Sequence, residues 1–313
     1  MDAARPAWPA LRVDDWTGTR EALQLRLQIV GKLELVSTEL VNHWWNVTYE
    51  VSARGLRTRL MHDGARSFDA EFDLVDQVLV LRGGDGGSAT VALRPGSIAE
   101  FFAEVVNACG RLGVELAIDA RPNELSPAVP FAEDTAERPY DAAAARAFWQ
   151  QLQRIEPVFA RWRAGFAGKA SPVQLFWGSM DLSCTRFSGR LAPPHTSAPP
   201  NCPLWVMQEA ESRENAAIGF WSGSSEEGTF YAYVYPEPDG YRDGELAGGR
   251  FDESLGEWLL PYREVRDSDD PERTLLAFLD ASYERAARLG AWDRALLDID
   301  PDRLAARLHP APR

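Results

Sequence analysis

Lysine is nearly absent from this chain. Of its 33 basic residues, 31 are arginine, and only Lys32 and Lys169 are lysine. Cysteine is almost as scarce: Cys109, Cys184 and Cys202 are too few and too scattered for a disulfide framework or a cysteine zinc site. That usage fits a reducing cytoplasm. The four histidines are His43, His62, His195 and His309, no two of them at helical ligand spacing. A metal could be held only through tertiary assembly, so none is assigned, and no cofactor is named by the pattern. His62 and His309 read as solvent residues. No apolar run approaches 18 residues, which argues against a membrane span. The opening MDAARPAWPAL lacks the basic-then-apolar order of a signal peptide. Neither a Gly-x-Ser-x-Gly elbow nor a Walker loop occurs.

Positive charge is also in deficit. A net charge of −14 gives a field that repels nucleic acid and anionic lipid, whose binding rests on cationic contacts. What the chain does have is apolar and aromatic material, 45% and 11% of its residues, with 11 Trp. At 313 residues it is long enough for two halves with a full core.

The two lysines both follow a glycine, in Gly31-Lys32 and Gly168-Lys169, and each pair follows a helix-like stretch. The first stretch is Trp16 to Val30, with Asp14 or Asp15 placed to cap it. The second carries Phe148, Leu152, Ile155, Phe159, Trp162 and Phe166 at helical spacing, with Pro157 expected to kink or split it. Strand-like hairpins come next: 66–73, 77–82 and 88–94, then 216–222, 229–235 and about 257–262. Each set ends in proline and leads to a helix. Ser97 and Glu100 form a capping box for one, and Asp270-Pro271-Glu272 starts the other. Both helices end in Arg-Leu-Gly.

The order predicts an α+β fold: a tandem duplication of a helix, four-stranded antiparallel sheet and helix unit. With extra first strands at Trp8–Val13 and Val114–Ile118 it becomes (β-α-β4-α) twice, an element order resembling the TATA-binding-protein-like topology. The expected division is a first repeat at 1–118, a linker at 119–139, a second repeat at 140–293 and a tail at 294–313. Gly84-Asp-Gly-Gly-Ser-Ala89 fits a loose dinucleotide pattern. A strand and not a helix follows it, so it reads as a hairpin turn.

FWGSMDLSCTRFSGRLAPPH at 176–195, taken as a strand, puts Trp177, Ser179, Asp181, Ser183, Thr185 and Phe187 on one face. Cys184 falls on the other, as an inert buried thiol. A Pro-rich loop with His195 and Asn201 follows. Tyr231, Tyr233 and Tyr235 share a strand face running into Glu237. These groups suggest a pocket floored by Trp177, Ser179, Asp181 and Thr185, closed by His195 and the tyrosines, with Arg186 or Arg190 at its rim. Asp181 and His195 would be the acid/base pair if chemistry occurs. The rival reading pairs Asp181 with an arginine to hold two sheets together. Lys32 and Lys169 read as a reactive amine or anion holder, or as residues at a helix C-terminus behind a left-handed glycine.

NHWWNV at 42–47, the 176–195 stretch, YPEPDG at 235–240 and LLPY at 259–262 together resemble one bacterial family, domain of unknown function 5996. The resemblance runs from AWPAL at 7–11 to GAWD at 290–293. It implies no activity, cofactor or substrate, but marks these motifs, with Asn42, His43 and Trp44 among them, as candidates for the common function. Two functions are therefore expected: binding or transformation of a small molecule in an aromatic cleft, or a protein-interaction or self-association surface built on Trp-rich strand faces. Nucleic-acid binding, which the saddle-like order would suggest, is disfavoured by charge.

Overall fold

The computed structural model describes residues 7–299. Its first element is a 24-residue helix, α1 (Val13–Val36). Arg12 takes the N-cap position without a side-chain cap, and Asp14 and Asp15 lie in the first turn, where the helix dipole favours them. From Ala22 to Glu34 the helix is buried on every side. Leu23, Leu27, Ile29, Val30 and Leu33 are fully covered, but so are Gln24, Arg26, Gln28, Lys32 and Glu34. Such polar groups need partners, and they find them in distant segments. Gln28 Nε2 donates to the Asn123 carbonyl at 2.9 Å, and Arg26 Nη2 to the Arg94 carbonyl at 2.6 Å. The Arg26 guanidinium lies over Phe101 and Tyr140, and Glu34 accepts the Arg59 backbone N–H at 2.7 Å.

The strands form one antiparallel sheet, which can be followed from the middle outward. On one side lie β1 (Thr48–Val51), β2 (Gly55–Arg57), β4 (Arg66–Asp73), β5 (Val78–Gly83) and β6 (Ser88–Ala92), with β3 (Met61–Asp63) paired to β4. On the other lie β7 (Gln174–Phe176), β8 (Asp181–Leu191), β9 (Arg213–Trp221), β10 (Thr229–Tyr235), β12 (Glu257–Pro261) and β11 (Arg250–Asp252). The two sets join through β1 and β7, with Thr48 opposite Phe176 and Tyr49 opposite Leu175. Helices α2 (Ile98–Arg111), α3 (Ala142–Ala164) and α6 (Pro271–Leu289) supply the remaining long helices. Three short ones, α4 (Leu204–Ala210), α5 (Tyr262–Arg266) and α7 (Arg294–Leu297), sit in connections.

Side-chain alternation sorts the second set of strands into two faces. Leu175, Leu182, Phe220, Phe230 and Leu260 form one cross-strand row and are fully or almost fully buried. Phe230 meets Phe159 of α3 on that face. The adjacent row, Gln174, Ser183, Gly219 and Tyr231, points the other way. A side chain on Gly219 would run into the Tyr231 ring, so its absence lets that ring lie across β9 towards β8.

The α+β class, the antiparallel sheet, the 84–89 turn (Gly86 at φ +90°), the 229–235 strand and the Ser97–Glu100 capping box all match the sequence reading. Several local expectations do not. Trp8–Val13 and Val114–Ile118 form no strands. Pro9 has no N–H for a ladder, and its carbonyl instead accepts from Tyr262 Oη. Asp14 and Asp15 do not cap α1. That helix continues through Gly31-Lys32, so the glycine is no left-handed cap: a Cβ there would sit 2.3 Å from Trp177 Cδ1, and close packing is what calls for glycine. Helix α3 contains Pro157 within its span and ends at Ala164, five residues before Lys169. Gly290 caps α6 at φ −75°, the left-handed residue being Ala291. His309 and most of the 294–313 tail lie outside the described residues.

Glu34 supplies a pH test of this packing. Burial pushes its carboxyl from an ordinary 4.5 up to about 8, and its Oε2 has no hydrogen-bond partner. The unfolded chain ionises Glu34 from about pH 4.5, while the folded protein keeps the proton until about pH 8. Its contribution to stability is therefore complete below pH 4.5 and is lost as pH rises to about 8. Glu34→Gln keeps the acceptor for Arg59 and removes that slope. Calorimetry should show the parent's Tm falling several degrees more than the variant's between pH 5 and pH 8; parallel profiles would refute the assignment.

Candidate functional site

The segment that begins at Phe176 is a hairpin and not one strand. Phe176 pairs with Asp181, closing a turn over 177–180 in which Met180 takes φ +63° and donates its N–H to the Phe176 carbonyl. Trp177 and Ser179 thus leave the strand face predicted for them. The turn is held against α1, whose Gln24 and Gln28 amides both donate to the Gly178 carbonyl. It separates two groups of side chains.

Trp177 packs on Gly31 and walls a cleft of about 350 Å³. Trp44, Trp205, Lys32, Glu124 and Cys202 also line it. Lys32 is only 4% exposed, and its Nζ donates to Asn123 Oδ1 at 2.5 Å and lies 5.8 Å from the Trp177 ring. Among the described residues no carboxylate oxygen lies within 4 Å of it. Burial lowers its pKa, opposed by the charge of Asp119. Glu124 abuts Gly178, and burial, reinforced by the charge of Asp181, pushes it up to about 7. Burial likewise raises the Cys202 thiol, which leaves little thiolate at neutral pH. The Trp177 indole N–H is buried without an acceptor.

Asp181 faces away from this cleft. Its carboxylate accepts from Ser179 Oγ and from Tyr231 Oη, and burial raises its pKa against both donors. Tyr233 donates to Glu211 at 3.0 Å, and Tyr235 to the Pro193 carbonyl at 2.8 Å. Burial also raises Glu211, and burial together with the Asp181 charge pushes Glu257 up to about 7. A second cavity of about 460 Å³ lies beyond the turn, lined by Ser179, Trp221, Arg20, Arg138 and, again, Glu124.

NHWWNV at 42–47 closes the cleft from the far side. Trp44 Nε1 donates to the Val206 carbonyl at 2.9 Å, and its ring meets Trp205 at 5.4 Å. Two motifs far apart in sequence thus wall one cavity, and the family model that contains them matches residues 8–299. The chain belongs to DUF5996, a family of unknown function. No curated protein and no solved structure matches it.

Of the residues expected to form the DUF5996 site, Trp44, Trp177 and Asn201 line the cleft. Ser179, Asp181 and Tyr231 form a separate hydrogen-bonded group. His195 stacks on Tyr235 at 4.1 Å. Tyr231 and Tyr235 are four residues apart on one strand, about 13 Å, so Asp181 and His195 are not brought together as an acid/base pair. Thr185 shares the Asp181 face, where its N–H is held by Ser171 Oγ. Arg186 points to the opposite face, its guanidinium 3.9 Å from the Trp162 ring centre, and burial lowers it to about 10. Arg190 pairs with Glu214 and donates to the carbonyls at the end of α6, and Glu237 pairs with Arg242. Arg186 lines a different cavity, of about 510 Å³, with Trp162 and Tyr283, and neither arginine borders the Trp177 cleft. Asn42 is exposed, and the His43 ring is fixed between the Ala210 carbonyl and Lys169 Nζ, at 2.8 and 2.7 Å.

Lys32, Asp119, Glu124, Cys202 and Trp205 are among the cleft residues that the sequence pattern does not place there. Lysine scarcity was the available signal for Lys32. Glu124 lies in an irregular segment without periodicity.

The arginine partner proposed for Asp181 is absent among the described residues. Its carboxyl is raised above the ordinary 3.8, so ionisation is disfavoured by folding and stability falls as pH rises above that value. Asp181→Asn should melt at pH 8 at or above the parent's Tm, since the amide oxygen still accepts from Tyr231. A drop of several degrees would show that the negative charge itself holds the fold together.

Proposed function

We propose that this protein binds a small molecule in the aromatic cleft between α1 and α4. The observation that carries this reading is Lys32: a buried amine, with no carboxylate within 4 Å among the described residues, facing a cavity walled by three tryptophans. Cavities of a few hundred Å³ with apolar walls and a few polar groups suit ligands of one or two rings. The net charge of −14 counts against nucleic acid, and enzymatic transformation is the sharper form of the same reading. The two strand sets, each followed by a helix and meeting at β1 and β7, support reading the halves as tandem copies in a saddle-like order.

A second reading rests on one observation. Trp205 and Leu204 on α4 are 59% and 40% exposed, an apolar rim that would suit self-association. One variant separates the two. The neutral bicyclic probe 2-naphthol should quench tryptophan fluorescence saturably, and Trp205→Ala should weaken it about tenfold, roughly 1.4 kcal/mol, with sedimentation unchanged. Loss of an oligomer with no change in probe affinity would favour the interaction surface instead.

A further inference from the structure

We propose that Lys32 is a nucleophilic amine that captures an aromatic aldehyde or ketone as an imine, with Glu124 as the acid serving the carbonyl oxygen. This rests on the cleft reading above and names its ligand class.

Three features point there. The first is the residue type. In a chain that uses arginine at 31 of 33 basic positions, this buried position has lysine. Arginine would hold a cation there as well and offer more donors, but it cannot release a proton to become a nucleophile. The second is the setting. Lys32 donates one hydrogen bond, to a neutral amide oxygen, and has no carboxylate within 4 Å among the described residues. Burial in an apolar pocket is a standard way to obtain a neutral amine, and its pKa is shifted in that direction. Lys169 shares the direction of that shift, through burial and the charge of Arg213, but differs in setting: it is exposed, and its Nζ is engaged by His43 Nε2 between the Trp45 and Phe187 rings. The third is the charge of the lining. Asp119 and Glu124 both border the cavity, so an anionic ligand would meet two acids, whereas a neutral aromatic carbonyl compound meets no like charge.

The chemistry balances without a further reactant. The Lys32 nitrogen pair forms a C–N bond with the carbonyl carbon, and the C=O π pair moves to oxygen, which takes the Glu124 proton. The nitrogen returns one proton to the Glu124 carboxylate, leaving a neutral carbinolamine. Glu124 protonates the hydroxyl, the C–O bond breaks, water departs and the nitrogen pair forms C=N. The products are one iminium paired with the Glu124 carboxylate, and one water. A carboxyl with a pKa of about 7 can give and take this proton near neutrality.

Two lysines make the test clean. The full chain is treated with 2-naphthaldehyde and cyanoborohydride, and adducts are followed by intact mass and peptide mapping. Lys32 should be labelled at least tenfold faster than Lys169. Lys32→Arg should remove that adduct, and Glu124→Gln should slow labelling of Lys32 severalfold without changing Lys169. Equal labelling of the two lysines, with 2-naphthol still saturating the cleft, would overturn carbonyl capture and leave the cleft reading intact. Tighter binding of 2-naphthoate than of 2-naphthol by tenfold would also overturn it, making Lys32 an anion holder. Failure of both labelling and 2-naphthol binding would remove the cleft reading as well.

Discussion

A long helix that is buried on all sides from Ala22 to Glu34 and still carries Gln24, Arg26, Gln28, Lys32 and Glu34 imposes one constraint on everything around it. Each buried polar group must be met, because leaving one unsatisfied costs about 1–3 kcal/mol and more if it is charged. The partners come from all over the chain: the Gly178 turn, the Asn123 segment, the Arg94 carbonyl and the Arg59 backbone. Segments that look like loops in sequence are therefore ordered by α1. The matching is incomplete at Glu34 Oε2 and at two Arg26 nitrogens, and at Lys32 it opens onto the cleft. Gln28 is engaged on both sides of its amide, whereas Lys32 has a single neutral acceptor and then open space.

The same helix explains the shape of the cleft. Gly31 leaves room for the Trp177 indole, so the ring stands against the backbone of α1 and forms a flat wall beside the lysine. Glycine here serves close packing and not a left-handed turn. The opposite wall comes from α4 and the 42–44 turn, held to each other by the Trp44–Val206 hydrogen bond.

What was legible in the sequence was local. The capping box, the 84–89 turn and the Tyr231–Tyr235 face each depend on residues within a few positions, where periodicity and turn chemistry decide the outcome. Gly31-Lys32 looks in sequence like a helix end, because a glycine selected by a contact from far along the chain cannot be told there from one selected by a C-cap. The 177–180 turn was hidden for a related reason. Its alternation mimics a strand, and only the pairing of Phe176 with Asp181 shows the reversal. Arg186, expected at the rim of the Asp181 pocket, lies five residues beyond Asp181 on the same strand and by period 2 must face α3. Glu124 had no local signature at all, because its surroundings are built by the tertiary fold.

The two acid sites are coupled even though they open in different directions. Glu124 borders both cavities, and its proton is held partly because Asp181 lies nearby as a second negative charge. Two carboxyls that repel each other hold their protons as a pair, so the protonation of one depends on the occupancy of the other. Asp181, bound to Ser179 and Tyr231 and out of reach of any cleft ligand, thus helps set the acidity of the carboxyl inside the cleft. An aspartate in the opening motif then matters to the site without touching it. That accounts for why the motif draws attention to the right hairpin while its side chains point to the wrong pocket.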